Sequence, residues 1–398
     1  MAPMHRLQID HVKAGAPLPF DVYDDAGHLL LKRGLKVLSD LQLERLIERG
    51  LFCTEPDAVT HGLHERQGGR PGYVGPKSRK VSVMKLLTDI QGDLEVLLTQ
   101  HQPENFAEQI QELVKRLQHA CTLDADAAVA SMLMLTRGNY SVRRMVHTAL
   151  LSELLMRQMA APDPVRAVTG AAALTMNLSM LELQDTLYAQ QSPPDESQSA
   201  ALKRHPQEAV DHLRALGVND STWHKLVLQH HETIDGRGYP AGLKGQEINK
   251  AAQVISLADR YGAMVTGRAY RAAMQPNMVL KTIYKDQGVS VDALLVSHLI
   301  KAVGIYPPGC AVALANGDLA IVIKRTQSAN QPVVRCVKNA MGKVLSPPPK
   351  RLTSEPAFTV QKSIARQDLG CDIDTDQLWG EAFEFVVPAS NPEAVIVP

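Results

Sequence analysis

The sequence predicts a mainly α-helical protein: a helical bundle over residues 81–305, with a small β-hairpin-plus-helix module at 1–55 and a small β module at 306–352. Three observations lead there. Aromatic residues make up only 4% of the chain, and the apolar fraction is filled by Ala, Leu, Val and Met, which favour helices. From Val81 to about Val303 the apolar spacing is helical, beginning with a stripe of Val83, Leu86, Leu87, Ile90, Leu94, Leu97 and Leu98. After Ile305-Tyr306-Pro307-Pro308-Gly309 the pattern changes to short alternating runs.

Taken in order, residues 17–37 read as a β-hairpin turning at Asp25-Ala26-Gly27, followed by Ser39 as N-cap of a helix that starts at Asp40. Residues 56–80, rich in Gly, Pro and charge, read as a linker. Helical patterns then recur at Phe106–Leu117, Val142–Met159, Pro164–Met176, His205–Leu216, Ser221–His231, Lys250–Val265 and Pro276–Lys285, with a polar loop at 190–197. Asn316-Gly317-Asp318 between two β-rich runs is a hairpin signal, and two further runs extend the β module to about residue 352. Residues 353–398 read as a polar tail with an amphipathic piece at Trp379–Val387.

Composition excludes several classes. At 398 residues the chain exceeds one typical domain. Lys+Arg and Asp+Glu are both 42, and this balance argues against a nucleic-acid partner. The five cysteines are dispersed, with no Cys-x-x-Cys, as expected of reduced thiols in a cytosol. No apolar run approaches the ~20 residues that span a bilayer, and the N-terminus has no signal-peptide core. The expectation is a cytoplasmic protein without a membrane partner.

Chemistry concentrates between His230 and Arg271. Adjacent His230 and His231, together with Asp259, are ligand types that transition metals favour. The turn Gly236-Arg237-Gly238-Tyr239-Pro240 combines backbone freedom, rigidity and an aromatic face. Arg268 and Arg271, three apart, read as neighbours on one helical face that could hold phosphate oxygens. Together these are the parts of a metal-dependent site acting on a phosphorylated, base-containing ligand.

This stretch resembles the HD-GYP family of the HD metallophosphohydrolase superfamily, whose run reads roughly HHExxDGxGYPxGLxGxxI, then ADxYDA on a helix, then RxYR. His230, His231, Glu232, Asp235, Gly236, Gly238, Tyr239, Pro240, Gly242, Leu243, Gly245 and Ile248 match, as do Asp259, Arg268, Tyr270 and Arg271. The resemblance implies an all-helical HD-type bundle, bacterial signalling, and hydrolysis of cyclic di-GMP at a paired-metal centre. It also implies that His205, His230, His231 and Asp259 are metal ligands, and that Gly238, Tyr239, Pro240, Arg268 and Arg271 face the nucleotide.

The other half of the family's signature is altered. Aligning the helical blocks puts Arg144 where the family has its first His, and Met176-Asn177 where it has the His-Asp pair. The Lys after that pair becomes Met180, and an occasional upstream Glu ligand becomes Tyr140. The His before a Pro persists as His205. A neutral Asn bridges two cations poorly, Met offers a soft thioether, and Arg144 puts a permanent charge where a cation would sit. Of the two metal positions, the one served by His205, His230 and His231 survives; Asp259 belongs mainly to the lost one, where it could pair with Arg144. The expected cofactor is one divalent transition metal, iron or manganese.

Bland readings stand beside these. A lone helical His is as readily a core residue as a ligand, Tyr239-Pro240 could merely close a turn, and Arg268 and Arg271 could be a solvated face. His147, His212 and His224 lie outside the motif and read as solvated. The favoured function is a degenerate HD-GYP protein that binds cyclic di-GMP or a related nucleotide with little or no hydrolysis and passes its state to a signalling partner. The alternatives are a weak single-metal phosphodiesterase and a non-catalytic helical scaffold.

Overall fold

The computed structural model describes residues 4–7, 17–23, 29–35, 52–61, 77–100, 102–380 and 382–386. The chain divides into two compact units, Met1–Gly75 and Pro76–Pro398. In the first, β1 (Met4–Arg6), β2 (Val22–Tyr23), β3 (Leu29–Leu31) and β4 (Phe52–Thr54) form a sheet in the order β1-β4-β2-β3, followed by α1 (Glu55–Thr60). Among the described residues, Leu7, Leu18, Phe20, Val22, Cys53 and Ala58 are its buried apolar ones. Strands β2 and β3 pair antiparallel; the turn at Asp25-Ala26-Gly27 and the helix expected after Ser39 lie outside the described residues.

The second unit is mainly helical. After β5 (Lys77–Val81) come α2 (Val83–Thr99), α3 (Phe106–Leu123), α4 (Ala125–Met134), α5 (Tyr140–Gln158), α6 (Asp163–Thr175) and α7 (Leu181–Ala189). Then follow α8 (Glu196–Ala215), α9 (Ser221–Gln229), α10 (Lys250–Val265), α11 (Pro276–Lys285) and α12 (Ala293–Val303). Starts are set by side-chain caps: Ser82, Asp124, Asp195, Asp220, Asn249 and Asp292 each accept a first-turn backbone N–H. Helix α5 is the axis of the bundle, buried from Tyr140 to Met156 and packed against α6 and α10. Such all-round burial is why polar residues on α5 can only point at other protein groups.

Strands β6 (Ala311–Leu314), β7 (Leu319–Lys324), β8 (Val333–Lys338), β9 (Lys350–Leu352) and β10 (Val360–Ile364) form a sheet in the order β10-β6-β7-β8-β9. The expected module end at 352 is therefore too early, because β10 returns to pair with β6. It reads as polar tail because it is an edge strand with Gln361 and Lys362 exposed. The remainder of the supposed tail holds α13 (Thr375–Leu378) and β11 (Ala382–Val386), which pairs with β5. The expected 56–80 linker likewise begins inside α1 and ends inside β5.

The boundary at 305 cuts through a shared core, although one side of the sheet also has a cluster of its own around Val312, Val322, Val334 and Cys336. Ala311, Ile321, Val337, Leu369 and Leu378 belong to the same apolar cluster as the helices. Arg325 on β7 reaches back, its Nε donating to Asp126 Oδ1 at 2.5 Å and its Nη1 to the carbonyl of Ala302. Among the described residues no helix is long and apolar enough to cross a membrane.

Candidate functional site

Three histidines meet in the interior. One ring nitrogen each from His205, His230 and His231 falls within 4.8 Å of the others, and only His231 keeps exposed surface. The local sequence explains their orientation. Pro206 inside α8 has no N–H, so the carbonyl four residues before it, on Leu202, loses its helical donor. His205 Nδ1 takes that carbonyl at 2.7 Å. His230 caps the C-terminus of α9, where carbonyls are orphaned, and its Nδ1 takes Val227 O at 2.5 Å.

A carbonyl can only accept, so both Nδ1 atoms carry the proton and both Nε2 atoms present lone pairs. Those two Nε2 atoms lie 3.1 Å apart. Burial first, and for His205 the neighbouring His230 next, pushes the pKa of His205 down to about 3; burial likewise lowers His230, and His231 falls well below its ordinary value. Neutral imidazoles whose other nitrogen donates to a backbone carbonyl are the arrangement found in histidines that bind metals. The three-histidine cluster therefore fits one cation.

Asp259, whose charge is felt by His205 and His230, is already engaged by another side chain. Arg144 on α5 grips Asp259 on α10 with two hydrogen bonds, Nε to Oδ1 and Nη2 to Oδ2, both 2.8 Å. The side chains are 9% and 7% exposed. Burial works to raise the Asp259 carboxyl, but the charge and hydrogen bonds of Arg144 outweigh it and hold the group below the ordinary carboxylate range. Arg144 Nη1 donates to the Tyr140 hydroxyl at 2.9 Å, and Thr148 Oγ1 approaches Asp259 Oδ1 at 3.4 Å. Met176 and Met180 are buried apolar groups. Asn177, 1% exposed, donates to Gln184 Oε1 at 3.3 Å and leaves its own Oδ1 without a partner.

The loop after His231 covers the cluster. Tyr239 stacks on His231, ring centroids 4.7 Å apart, and meets His205 edge-on at 6.4 Å. The buried Glu232 carboxylate accepts the N–H groups of Ala241 at 2.8 Å and Leu243 at 3.0 Å, pulling the loop shut. Gly238 is required by packing: a Cβ there would come within 2.5 Å of the backbone of Glu232 and Thr233. Pro240 follows through a cis bond.

Arg268 and Arg271 differ from expectation. Helix α10 ends at Val265, and the two arginines form a tight reciprocal turn, Arg268 N to Arg271 O at 2.7 Å and Arg271 N to Arg268 O at 2.9 Å. They share a turn, not a helical face. A Cβ at Gly267 would sit 2.7 Å from Ala273 N, so the chain must fold back there. Arg271 donates to the α10 carbonyl of Ala263 at 2.6 Å, a helix-capping role, whereas Arg268 donates to Tyr270 at 2.8 Å. His147 also departs from expectation: it is 6% exposed, with its pKa lowered to about 3 by burial and then by Arg143. His224 meets Val218 O at 2.9 Å, and His212 is exposed as expected. Sequence reasoning missed Tyr188 and Arg143 and assigned Glu232 no role.

The chain is similar to several known proteins. The HD domain family matches residues 108–295. A protein of Pseudomonas aeruginosa described as a cyclic di-GMP phosphodiesterase is 27% identical over 237 residues, 59% of this chain and 57% of the relative. A 3'3'-cGAMP-specific phosphodiesterase of Vibrio cholerae is 28% identical over 168 residues, 42% of this chain and 36% of the relative. The chain thus spans about half or less of the length of these relatives. A solved HD-GYP-type protein from Bdellovibrio bacteriovorus aligns at 16% identity and a TM-score of 0.49, over 75% of this chain and 99% of that one.

Proposed function

Since this chain carries an HD domain of the HD-GYP type, we propose that it binds cyclic di-GMP or a related cyclic dinucleotide, turns it over little or not at all, and conveys the bound state to a signalling partner. The observation that carries this reading is the Arg144–Asp259 pair. Two-metal phosphodiester hydrolysis needs cations on both the attacking and the leaving oxygen. Here the carboxylate available for one of them is bound bidentately to a guanidinium that cannot be deprotonated. The ligand-facing loop around Tyr239 and the Arg268 turn remain built.

A divalent ion on His205, His230 and His231, iron or manganese by ligand type, would supply charge to a phosphate oxygen. The protein's own groups do the rest. Tyr239 offers an aromatic face toward a base, and Arg268 a fork toward phosphate. Asp259, held by Arg144, is unavailable as a proton acceptor. The reading of a weak single-metal phosphodiesterase is favoured by the facing Nε2 lone pairs of His205 and His230.

The experiment is calorimetric titration of the full chain with cyclic di-GMP, beside a product assay with manganese, iron and magnesium. Binding is expected, with turnover far below the ~1 s⁻¹ at which ordinary enzymes begin. Asn177→Asp alone should restore nothing while Arg144 persists; recovery should require Arg144→His, Met176→His and Asn177→Asp together. Ordinary turnover by the wild type would overturn the reading, and absence of any cyclic dinucleotide affinity would favour a scaffold.

A further inference from the structure

Charge is segregated in the C-terminal part of the chain, although the whole is neutral. Residues 306–366 hold nine Lys or Arg against two acidic residues, a net charge of +7. Residues 367–398 hold seven Asp or Glu and no Lys or Arg, a net charge of −7. The first run builds the five-stranded sheet, and the second opens with residues 367–380, which cross it.

The two do not neutralise each other. Of the nine cations only Arg325 has an ion pair among the described residues, and its partner is Asp126 on α4. The crossing segment meets the sheet through backbone carbonyls: Lys338 Nζ donates to Leu369 O at 3.2 Å and Arg335 Nε to Leu378 O at 3.1 Å. Its carboxylates stay outside, with Asp372, Asp374 and Asp376 exposed at alternate positions. On the sheet, Lys350 stands directly opposite Arg335 in the β8–β9 register, a destabilising pairing of like charges. Arg351 Nε–H beside it is enclosed without an acceptor. Lys324, Lys343 and Lys362 are exposed as well, and so is Met341 at 92%.

We propose that the basic sheet of one copy docks on the acidic crossing segment of a second copy, and reciprocally, forming a salt-sensitive homodimer. The two surfaces adjoin in one chain, so a two-fold axis lets each copy offer its sheet to the other's segment at the same time. Carboxylates that meet the lysines relieve the like-charge repulsion on both surfaces. Met341, with the exposed Val344 and Leu352, adds apolar area to the contact. A nucleic acid or an anionic bilayer fits less well, because the carboxylates bordering the sheet repel a surface of phosphates.

The test is sedimentation velocity on the full chain in about 0.1 M and about 1 M salt, between which the screening length falls from about 10 Å to about 3 Å. Wild type should dimerise at low salt, and its dissociation constant should rise about tenfold or more at high salt. Lys343→Glu with Lys350→Glu should weaken low-salt association by about tenfold or more, and so should Asp372→Lys with Asp376→Lys. An equimolar mixture of the two reversed proteins should restore dimers, since each then finds opposite charge on the other. All four positions are exposed, so both proteins should keep the wild-type thermal midpoint; should either unfold, Lys343→Gln with Lys350→Gln should still weaken association. A monomeric wild type at low salt, a dimer indifferent to salt or to the substitutions, or a mixture of folded reversed proteins that stays monomeric would each overturn the proposal. So would a wild type that stays monomeric while binding single-stranded RNA or vesicles of anionic lipid.

Discussion

His205 and His230 present the same ring atom to each other, Nε2 to Nε2 across 3.1 Å, with both Nδ1 protons already committed to carbonyls. Two lone pairs at that distance repel unless a cation lies between them. Burial disfavours a proton there. Protein purified in excess manganese or iron should retain close to one ion per chain by elemental analysis, and His230→Ala close to none. Two ions per chain would contradict the Arg144 block, and none in the wild type would contradict the histidine site.

The Arg144–Asp259 pair should behave as a buried ion pair. Asp259→Asn leaves a buried guanidinium without its charge partner and should cost about 3–5 kcal/mol in urea denaturation. Replacing both partners, Arg144→Met with Asp259→Leu, should recover most of that loss. A cost of under about 1 kcal/mol for Asp259→Asn would mean that Arg144 finds water or another acceptor.

Gly238→Ala should displace the covering loop, because the added Cβ meets backbone and not a flexible side chain. Overpacking of this kind costs about 1–3 kcal/mol. The change should also lower metal retention, since Tyr239 would lose its stack on His231. Full retention at an unchanged thermal midpoint would show that the loop accommodates the methyl group.

Acid should find His147. Its folded pKa is lowered to about 3 from 6.5 by burial and Arg143, so the unfolded chain takes up the proton first. The stability associated with the neutral ring is complete above about pH 6.5 and is lost as pH falls toward 3. The wild-type thermal midpoint should drop between pH 7 and 5, and His147→Gln should flatten that drop. Equal slopes would assign the acid sensitivity to His205 and His230 instead.

The histidine cluster was legible because His230 and His231 lie in one contiguous motif and His205 precedes a Pro as the family resemblance requires, and α10 and α11 begin and end where the periodicity puts them. Arg268 and Arg271 were misplaced because spacing three apart fits a helix or a turn equally well, and only the crowding at Gly267 distinguishes them. Tyr188 and Arg143 were invisible for another reason. Tyr188 meets Tyr140 from another helix, and stacking across helices leaves no mark in linear spacing, while Arg143 lies three residues from Tyr140 on α5, where burial of every face hides which side chains are partnered. On α5, where every face is buried, periodicity cannot tell a core histidine such as His147 from a solvated one.

Because Ile321 and Val337 on the sheet complete the same apolar cluster as the helices, the β strands are a wall of the helical body and not an ornament on it. A fragment trimmed to residues 108–295 would bare that wall's seat and leave Asp126 without Arg325. Helices and sheet should therefore melt in a single cooperative step, and whatever grips the sheet from outside pulls directly on the helices that hold the histidines.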